Sequence, residues 1–435
     1  MDKTKRKVVD FLKKHKMDFE DIDIEVNVNA FLGDMERGLK GQESTLRMIP
    51  TYIETGGEIP VGESVVAIDA GGTNFRVARV KFDEQRRAII EGLKSEVMPG
   101  VKQEVGKDEF FETMASYIRD MVEDDKSIGF CFSYPTEIFP NKDGRAILLC
   151  KEVKAKAVEG EIVGENLNLA LRGMGVKAAK RIVILNDTVA TLLAGKGSSN
   201  RDFGGYIGFI LGTGTNCCYV EKNSNITKTS GLDPARSQII NCESGGFGLC
   251  ERGSIDIAFD ESTVNPSVHQ FEKMISGAYL GPISLRAIRK GCEEGLFCGR
   301  LCRHVEGMAE LQTKELDDFM NYPYGDNPLA NVSAAGEKAD VVAMYVLVDR
   351  IVERAAKLTA INLSSMAIKS GAGTDPSLPI CIVAEGTTFH HLKGLKARVE
   401  YYLMEYLEKK RGIYTDIVSV ENAAIIGAAI AGLTN

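Results

Sequence analysis

Two short segments decide the fold: AIDAGGTNFRVAR at Ala67–Arg79 and FILGTGTNCCYVE at Phe209–Glu221. Each begins with apolar residues typical of a strand, passes through a glycine-containing turn and ends in a second strand-like run. When the two segments are superposed, Gly72-Thr73-Asn74 falls on Gly214-Thr215-Asn216. The repeat indicates either a duplicated domain with a phosphate-sized cleft between its halves or two unrelated β-hairpins, because hairpins also favour such turns.

The rest of the chain alternates short β-branched runs with helical patterns, which is typical of an α/β protein. Residues 1–60 have a helical pattern and precede the turn-rich stretch TGGEIPVGES. The predicted strands are 65–68, 75–80, 128–132, 181–185, 206–211, 238–242, 379–384 and 414–418. The predicted helices are 109–122, 165–174, 188–195, 270–274, 340–368 and 392–410. We expect a final Ala- and Gly-rich helix, Asn422–Leu433, to pack against the first half of the duplication.

The composition is that of a globular protein with a sizeable core. The 435 residues are 44% hydrophobic and 26% charged, and a length of ~150 residues per domain predicts two or three domains. A net charge of −8 argues against a nucleic-acid or anionic-membrane binder, because both need excess Lys and Arg. Ten cysteines, several in apolar runs, indicate reduced thiols in a cytoplasmic protein. The longest apolar run, Ala423–Leu433, is too short to span a membrane.

Both turns have the composition of a phosphate-binding loop. Glycine lets several backbone N–H groups converge on one anion, and the hydroxyls of Thr73, Thr213 and Thr215 add donors. Neither turn matches the P-loop pattern or the Gly-x-Gly-x-x-Gly pattern that opens a Rossmann helix. Asp69, at the end of the first strand, is placed either to hold Mg²⁺ through water or only to hydrogen-bond its own turn.

A second candidate site lies at Asn186 and Asp187, where a predicted strand ends and a predicted helix begins. Ligands bind at the carboxyl ends of strands in open α/β sheets. Asp187 is therefore either a helix N-cap or a general base that takes a proton from an attacking hydroxyl, as phosphoryl transfer requires.

In their order along the chain, these segments and several others resemble the eukaryotic-type hexokinase and glucokinase family. The matching segments are MIPTYI (48–53), AIDAGGTNFRVARV, GFCFSYP (129–135), ILNDTVATLLAG, GFILGTGTN, INCESGGFG (240–248), NPSVHQFEKMISGAYLG (265–281) and IVAEGTTF (382–389). Each motif is short, and their shared order and spacing make the resemblance specific. It implies an α/β, two-domain actin-like ATPase (ribonuclease H-like) fold with a duplicated βββαβα core and an interdomain cleft.

The resemblance also implies a domain division and a reaction. Residues 58–185 plus 422–435 would form the small domain, and residues 1–57 plus 186–421 the large domain. The implied reaction is transfer of the γ-phosphoryl group of Mg-ATP to the 6-hydroxyl of glucose or a related hexose, with ATP and Mg²⁺ as cofactors. The alternatives are a kinase of the same fold for mannose, fructose or an amino sugar, and a catalytically weak sugar-binding regulator. The oligomeric state, monomer or homodimer, stays open.

Individual roles follow from the resemblance, position by position. Asp187 matches the base that deprotonates the 6-hydroxyl, Lys151 matches the lysine that contacts that hydroxyl, and Asp69 matches the acid that organises Mg²⁺ through water. The implied sugar ligands are Ser133, Lys151, Asn186, Asp187, Asn216, Glu243 and Glu272. The implied phosphate and nucleotide contacts are Asp69, Gly71, Gly72, Thr73, Asn74, Arg76 (also catalytic), Gly212, Thr213, Gly214, Thr215, Gly386 and Thr387.

Several positions depart from the family pattern. LLCK at Leu148–Lys151 stands for Asn-Trp-Thr-Lys, so a sugar-binding threonine hydroxyl becomes the Cys150 thiol, a weaker hydrogen-bond partner. ESGGFGL at Glu243–Leu249 stands for Glu-Trp-Gly-Ala-Phe-Gly-Asp, and Ala278 replaces a lysine that is common on the nucleotide side. These changes bear on specificity, and they spare Asp187 and both phosphate turns.

Overall fold

Two β-sheets organise the computed structural model, which describes residues 3–122, 127–149, 153–177, 179–197 and 201–435. The strands are β1 Ile49–Pro50, β2 Val65–Gly71, β3 Asn74–Phe82, β4 Ala88–Val97, β5 Ser127–Phe132, β6 Thr136–Ile138, β7 Gly144–Ala146, β8 Arg181–Leu185, β9 Gly205–Leu211, β10 Thr215–Lys222, β11 Ser237–Asn241, β12 Ile380–Glu385 and β13 Thr415–Val418. Strands β6 and β7 form a separate hairpin beside the larger sheets.

Helices surround and separate the sheets. They are α1 Lys3–Lys14, α2 Ile24–Leu39, α3 Lys107–Ile118, α4 Val163–Gly173, α5 Asp187–Lys196, α6 Ser254–Glu261, α7 Gln270–Ile275, α8 Leu280–Glu293, α9 Gly299–Glu306, α10 Thr313–Asn321, α11 Pro328–Ala334, α12 Lys338–Ser370, α13 Thr387–His391, α14 Leu395–Leu403 and α15 Ala423–Thr434. In the described residues, none of these helices has the length and hydropathy needed to cross a bilayer.

The two large sheets share one topology. The strand order is β4-β3-β2-β5-β8 in one sheet and β1-β11-β10-β9-β12-β13 in the other. In each, a three-stranded antiparallel meander is followed by two strands that run parallel to its first member. Strands β2 and β3 correspond to β9 and β10, so the repeated sequence is a true duplication and not a pair of unrelated hairpins.

This topology places the candidate residues at one end of the central strands of each sheet. The first turn closes where Gly71 pairs with Asn74, and the second closes where Leu211 pairs with Thr215. Gly72 supplies the positive φ, 61°, that a tight hairpin turn needs. Because β5 and β8 run parallel to β2, the residues that follow them also lie beside the first turn.

The layer between the sheets consists mainly of α5 and α15, which exchange sides. Helix α5 follows β8 but packs on β9, whereas α15 follows β13 but packs on β2 and β5. A Cβ at Gly129 would lie 1.7 Å from the carbonyl oxygen of Ala428, and a Cβ at Gly427 would lie 1.9 Å from that of Ala190. Glycine is thus required for this close packing, and the expected position of the final helix is confirmed.

Candidate active site

A cavity of about 470 Å³ opens at the carboxyl ends of the strands of both sheets. Its polar lining includes Ser133 after β5, Asn186 and Asp187 after β8, Thr213–Asn216 between β9 and β10, Glu243 after β11 and Glu272 on α7. The structure therefore brings together the implied sugar ligands of the described residues. Lys151 and Cys150 lie outside the described residues.

At the start of α5, the helix cap and the candidate base are two different residues. Asn186 is the N-cap, and its Oδ1 accepts the Thr188 N–H at 2.9 Å. Asp187 is the first helical residue, and its Oδ1 accepts the same N–H at 2.7 Å. A carboxylate in the first turn is stabilised by the helix dipole. Asp187 is therefore held by the helix start while its side chain lines the cavity.

An amide–carboxylate cluster forms the opposite wall. Asn216 Nδ2 donates to Asn241 Oδ1 at 2.8 Å and to Glu243 Oε1 at 3.3 Å. Asn241 Nδ2 donates to the same Glu243 oxygen at 2.8 Å. Asn216 Oδ1 in turn accepts the N–H groups of Cys217 at 2.7 Å and Ser244 at 3.3 Å. A network whose members satisfy one another fixes each side chain in one orientation.

Glu243 carries both backbone strain and an unfavourable charge. Its φ of 55° and ψ of 50° lie in the left-handed region, which non-glycine residues seldom adopt. Burial raises the pKa of Glu243; the Asn241 hydrogen bond opposes that shift, and the negative charge of Asp187 adds to it. Strain and perturbed acidity in one residue are typical of a functional site.

Glycines let Glu272 approach the second turn. The Thr215 N–H donates to Glu272 Oε2 at 2.9 Å. A Cβ at Gly214 would stand 2.6 Å from that oxygen, and a Cβ at Gly245 would stand 3.2 Å from it. The carboxylate can contact the turn only because residue 214 has no side chain.

The first turn presents an acid paired with a guanidinium. Arg76 Nε and Nη2 both donate to Asp69 Oδ2, at 2.9 and 2.6 Å, and Nη1 donates to Asn422 Oδ1 at 3.4 Å. The other oxygen, Asp69 Oδ1, accepts no bond from Arg76 and lies 3.7 Å from the place a Cβ on Gly71 would occupy. A carboxylate that keeps one oxygen off Arg76, on the strand that leads into a Gly-rich turn, fits a water-mediated Mg²⁺ ligand.

A hydrogen bond beneath the cavity ties the loop after β5 to the first turn. Tyr134 Oη donates to the Gly72 carbonyl at 2.8 Å. Burial raises the pKa of the Cys131 thiol well above its usual value, and the negative charges of Asp69 and Asp187 add to the shift. Cys131 lies between the two acids in the sheet, because it pairs with Asp69 on one side and with Leu185, two residues before Asp187, on the other.

A second cavity, of about 660 Å³, meets the first at Thr213 and Ala278. Thr387 and His391 of α13 line it from one side. Gly386 has a φ of 110°, and a Cβ there would lie 2.3 Å from the carbonyl oxygen of Leu211. Glycine is thus required for the loop before α13 to lie against the second turn.

Of the two turns, the second lines the two cavities: Thr213 lines both, whereas Gly71–Asn74 line neither. Burial raises the pKa of Glu385, at the end of β12; the Val420 N–H and, less strongly, the positive charge of Arg76 oppose that shift. The Thr388 hydroxyl donates to the Gly212 carbonyl at 2.9 Å, so the segment after β12 also contacts the second turn.

Among the residues of the first cavity that sequence reasoning misses are Asn241, Arg47 and His269. The position of Asn241 at the end of β11 is a signal that could have revealed it, by the same rule that selected Asn186. Arg47 is exposed on a loop and His269 has a left-handed φ of 53°, and no local pattern distinguishes either from a surface residue.

Two family models, both described as hexokinase, match the chain over residues 8–196 and 206–434. The chain belongs to the hexokinase family. Hexokinase-1 of Schizosaccharomyces pombe is 28% identical over 425 residues, which cover 92% of this chain and 85% of that protein. Human hexokinase-1 is 29% identical over 392 residues, which cover 83% of this chain and 41% of that protein.

Solved structures agree with this membership. Hexokinase from Schistosoma mansoni, complexed with glucose, matches with a TM-score of 0.76 and 23% identity over 99% of both chains. The fold is the two-domain actin-like ATPase fold of hexokinases, as the sequence resemblance implies. Family membership makes the protein a hexose kinase, a phosphotransferase whose acceptor is an alcohol group of a sugar.

Gly214→Ala tests the contact between Glu272 and the second turn. The new methyl group would stand 2.6 Å from the carboxylate oxygen and displace it, so we expect kcat/KM for hexose to fall about tenfold or more. Gly173→Ala on α4 is the matched control, since a Cβ there meets nothing within 4 Å. Equal kcat/KM in both variants would contradict the requirement for glycine.

Proposed function

We propose that this hexose kinase transfers the γ-phosphoryl group of Mg-ATP to the 6-hydroxyl of glucose or a related hexose, with Asp187 as general base. The observation that carries the proposal is the first cavity, where Asp187 faces the Asn216, Glu243 and Glu272 side chains. Carboxylates and amides suit a hexose, because each sugar hydroxyl both donates and accepts a hydrogen bond. Ser133 and Asn186 complete the described part of the proposed sugar site.

The proposed chemical step is an in-line displacement. The oxygen of the sugar 6-hydroxyl forms a bond to the γ-phosphorus, and the bond from that phosphorus to the β,γ-bridging oxygen breaks. The hydroxyl proton passes to the Asp187 carboxylate, and ADP leaves. Removal of this proton makes the oxygen a better nucleophile at the moment of transfer.

For the nucleotide, we propose that the phosphates lie between Gly71–Asn74 and Gly212–Thr215 and that adenosine lies in the second cavity beside Gly386 and Thr387. The convergent N–H groups of the turns and the Arg76 guanidinium would bind the phosphate oxygens. Mg²⁺, when bound, neutralises charge on those phosphates. Asp69 would hold it through water with Oδ1, the oxygen not bonded to Arg76.

We also propose the division into a small domain, residues 58–185 plus 422–435, and a large domain, residues 1–57 plus 186–421. The pairing of β1 with β11 supports placing the N-terminal arm in the large domain, and the packing of α15 on β2 and β5 supports the return of the C-terminus to the small one. A cytoplasmic location stays an expectation, supported by the nine free thiols of the described residues.

The test is ADP release from Mg-ATP with glucose, fructose, mannose, glucosamine, N-acetylglucosamine or no sugar. We expect turnover to depend on a hexose, and the panel to rank the sugars. Turnover of equal rate without sugar would replace the proposal with an ATPase. Hexose binding with no turnover would favour the sugar-binding regulator instead.

A further inference from the structure

A separate groove of about 640 Å³ lies between α6 and α8, in the half of the molecule that contains the six-stranded sheet. It ends at the segment 309–311, which precedes α10. Its floor is apolar: the side chains of Ile255, Leu285 and Leu311 are only 3%, 4% and 1% exposed. An open groove with an apolar floor is a favourable place for the apolar part of a ligand.

One side of the groove is cationic. Arg286, Arg289 and Lys290 of α8 line it, and their spacing puts them on one face of the helix. Arg289 donates to a backbone carbonyl, and Lys290 pairs with Glu293 at 2.8 Å. Arg286 makes a long hydrogen bond to Ser262 Oγ at 3.5 Å, and no carboxylate of the described residues lies within ion-pair distance of it. Its guanidinium is thus available to a ligand.

We propose that this groove binds a small amphipathic anion: a molecule with an apolar body and one phosphate, sulfonate or carboxylate group. The guanidinium of Arg286 can hold such a group with two parallel hydrogen bonds. Glu293 and Glu310 also line the groove, at the far end of α8 and on the 309–311 segment. They oppose a second anionic group, so a ligand with a single charged group fits better than a polyanion.

The groove shares a wall with the second cavity. Pro282, Glu310 and Leu311 line both. A ligand that changes the position of this shared wall changes the affinity of the second cavity, and the coupling is reciprocal. This regulatory step rests on the proposed nucleotide assignment of that cavity; the binding step does not.

The binding test uses 8-anilinonaphthalene-1-sulfonate, which has an apolar body and one sulfonate, in fluorescence titrations of the full chain. We expect saturable binding that is about tenfold weaker in Arg286→Gln, because a charge-assisted pair is lost. Ala258→Glu, which adds a carboxylate to the lining, should weaken binding as well. Arg300→Gln, an exposed arginine on α9 outside the groove, is the control and should bind as the unmodified chain does.

Two further measurements distinguish dye binding in this groove from dye binding in the second cavity. With saturating Mg-ADP the dye should stay bound with a changed affinity. The shift of the KM for ATP should need about tenfold more dye in Arg286→Gln than in the unmodified chain. Equal dye affinity in the unmodified chain and Arg286→Gln, or full competitive displacement by Mg-ADP, would overturn the proposal. Hexose-dependent ADP release by the same variants tests the proposed function separately, so the two failures are distinguishable.

Discussion

Replacing Asp187 with asparagine should lower kcat by roughly 10²- to 10⁴-fold, the range contributed by a positioned general base. The amide keeps an oxygen that can accept the Thr188 N–H at the start of α5, so the helix and the cavity should stay intact. We therefore expect the hexose dissociation constant to change much less than kcat. Steady-state rates of ADP release and calorimetric titration with hexose measure the two quantities.

The matched control for this variant is Asp10→Asn, which makes the same chemical change at an exposed position of α1. It should keep the rate and the hexose affinity of the unmodified chain. A kcat near that of the unmodified chain in Asp187→Asn would remove Asp187 from the proposed role. Loss of hexose binding in parallel with kcat would make it a sugar ligand rather than a base.

The duplicated core is predictable because its strands are buried and β-branched. The sequence pattern identifies β5, β8, β9 and β12 within one residue, whereas β2 extends three residues beyond the predicted 65–68. Strand β4 is not predicted: it is an edge strand, exposed along most of its length, so no hydrophobic alternation distinguishes it. The duplication alone indicates β4, because the other sheet has a strand, β11, at the corresponding position.

Helix α8 shows a different limit of prediction. It contains Gly281, Pro282 and Gly291, which sequence rules interpret as helix breakers. Pro282 is tolerated because it lies in the first turn, where a backbone N–H has no partner within the helix. Gly281 packs against the 311–313 backbone, since a Cβ there would lie 2.3 Å from the Leu311 carbonyl oxygen.

Some of the site residues can likewise be predicted from a local sequence pattern, and others cannot. Asn186 and Asp187 are marked by a strand-to-helix junction, but only the structure shows that Asn186 is the cap. Glu272 lies in an unremarkable short helix, so its proximity to Thr215 depends on a contact 57 residues away in sequence. Such long-range contacts have no local pattern, and for them the family resemblance is the available guide.

Glu243→Gln should stabilise the free protein at neutral pH while weakening hexose binding by about 10²-fold, since a buried charged acceptor is lost. The pKa of Glu243 is raised in the folded state, so the folded protein binds this proton more tightly than the unfolded chain does. The resulting stability is present below the unfolded pKa, about 4.3. It is lost as pH rises through the raised folded pKa. Glutamine stays neutral and avoids this loss.

Thermal unfolding with and without hexose tests both effects in one series. Without sugar, the Tm of Glu243→Gln should exceed that of the unmodified chain at pH 7, and the difference should shrink as pH falls through the raised pKa. Saturating hexose should reverse the order, because a ligand that binds only the folded state stabilises the tighter binder more. Glu104→Gln, at an exposed position, should show neither effect. A lower Tm for Glu243→Gln at pH 7 without sugar would contradict the cost of the buried charge, whereas an unchanged order in hexose would contradict its role as a sugar ligand.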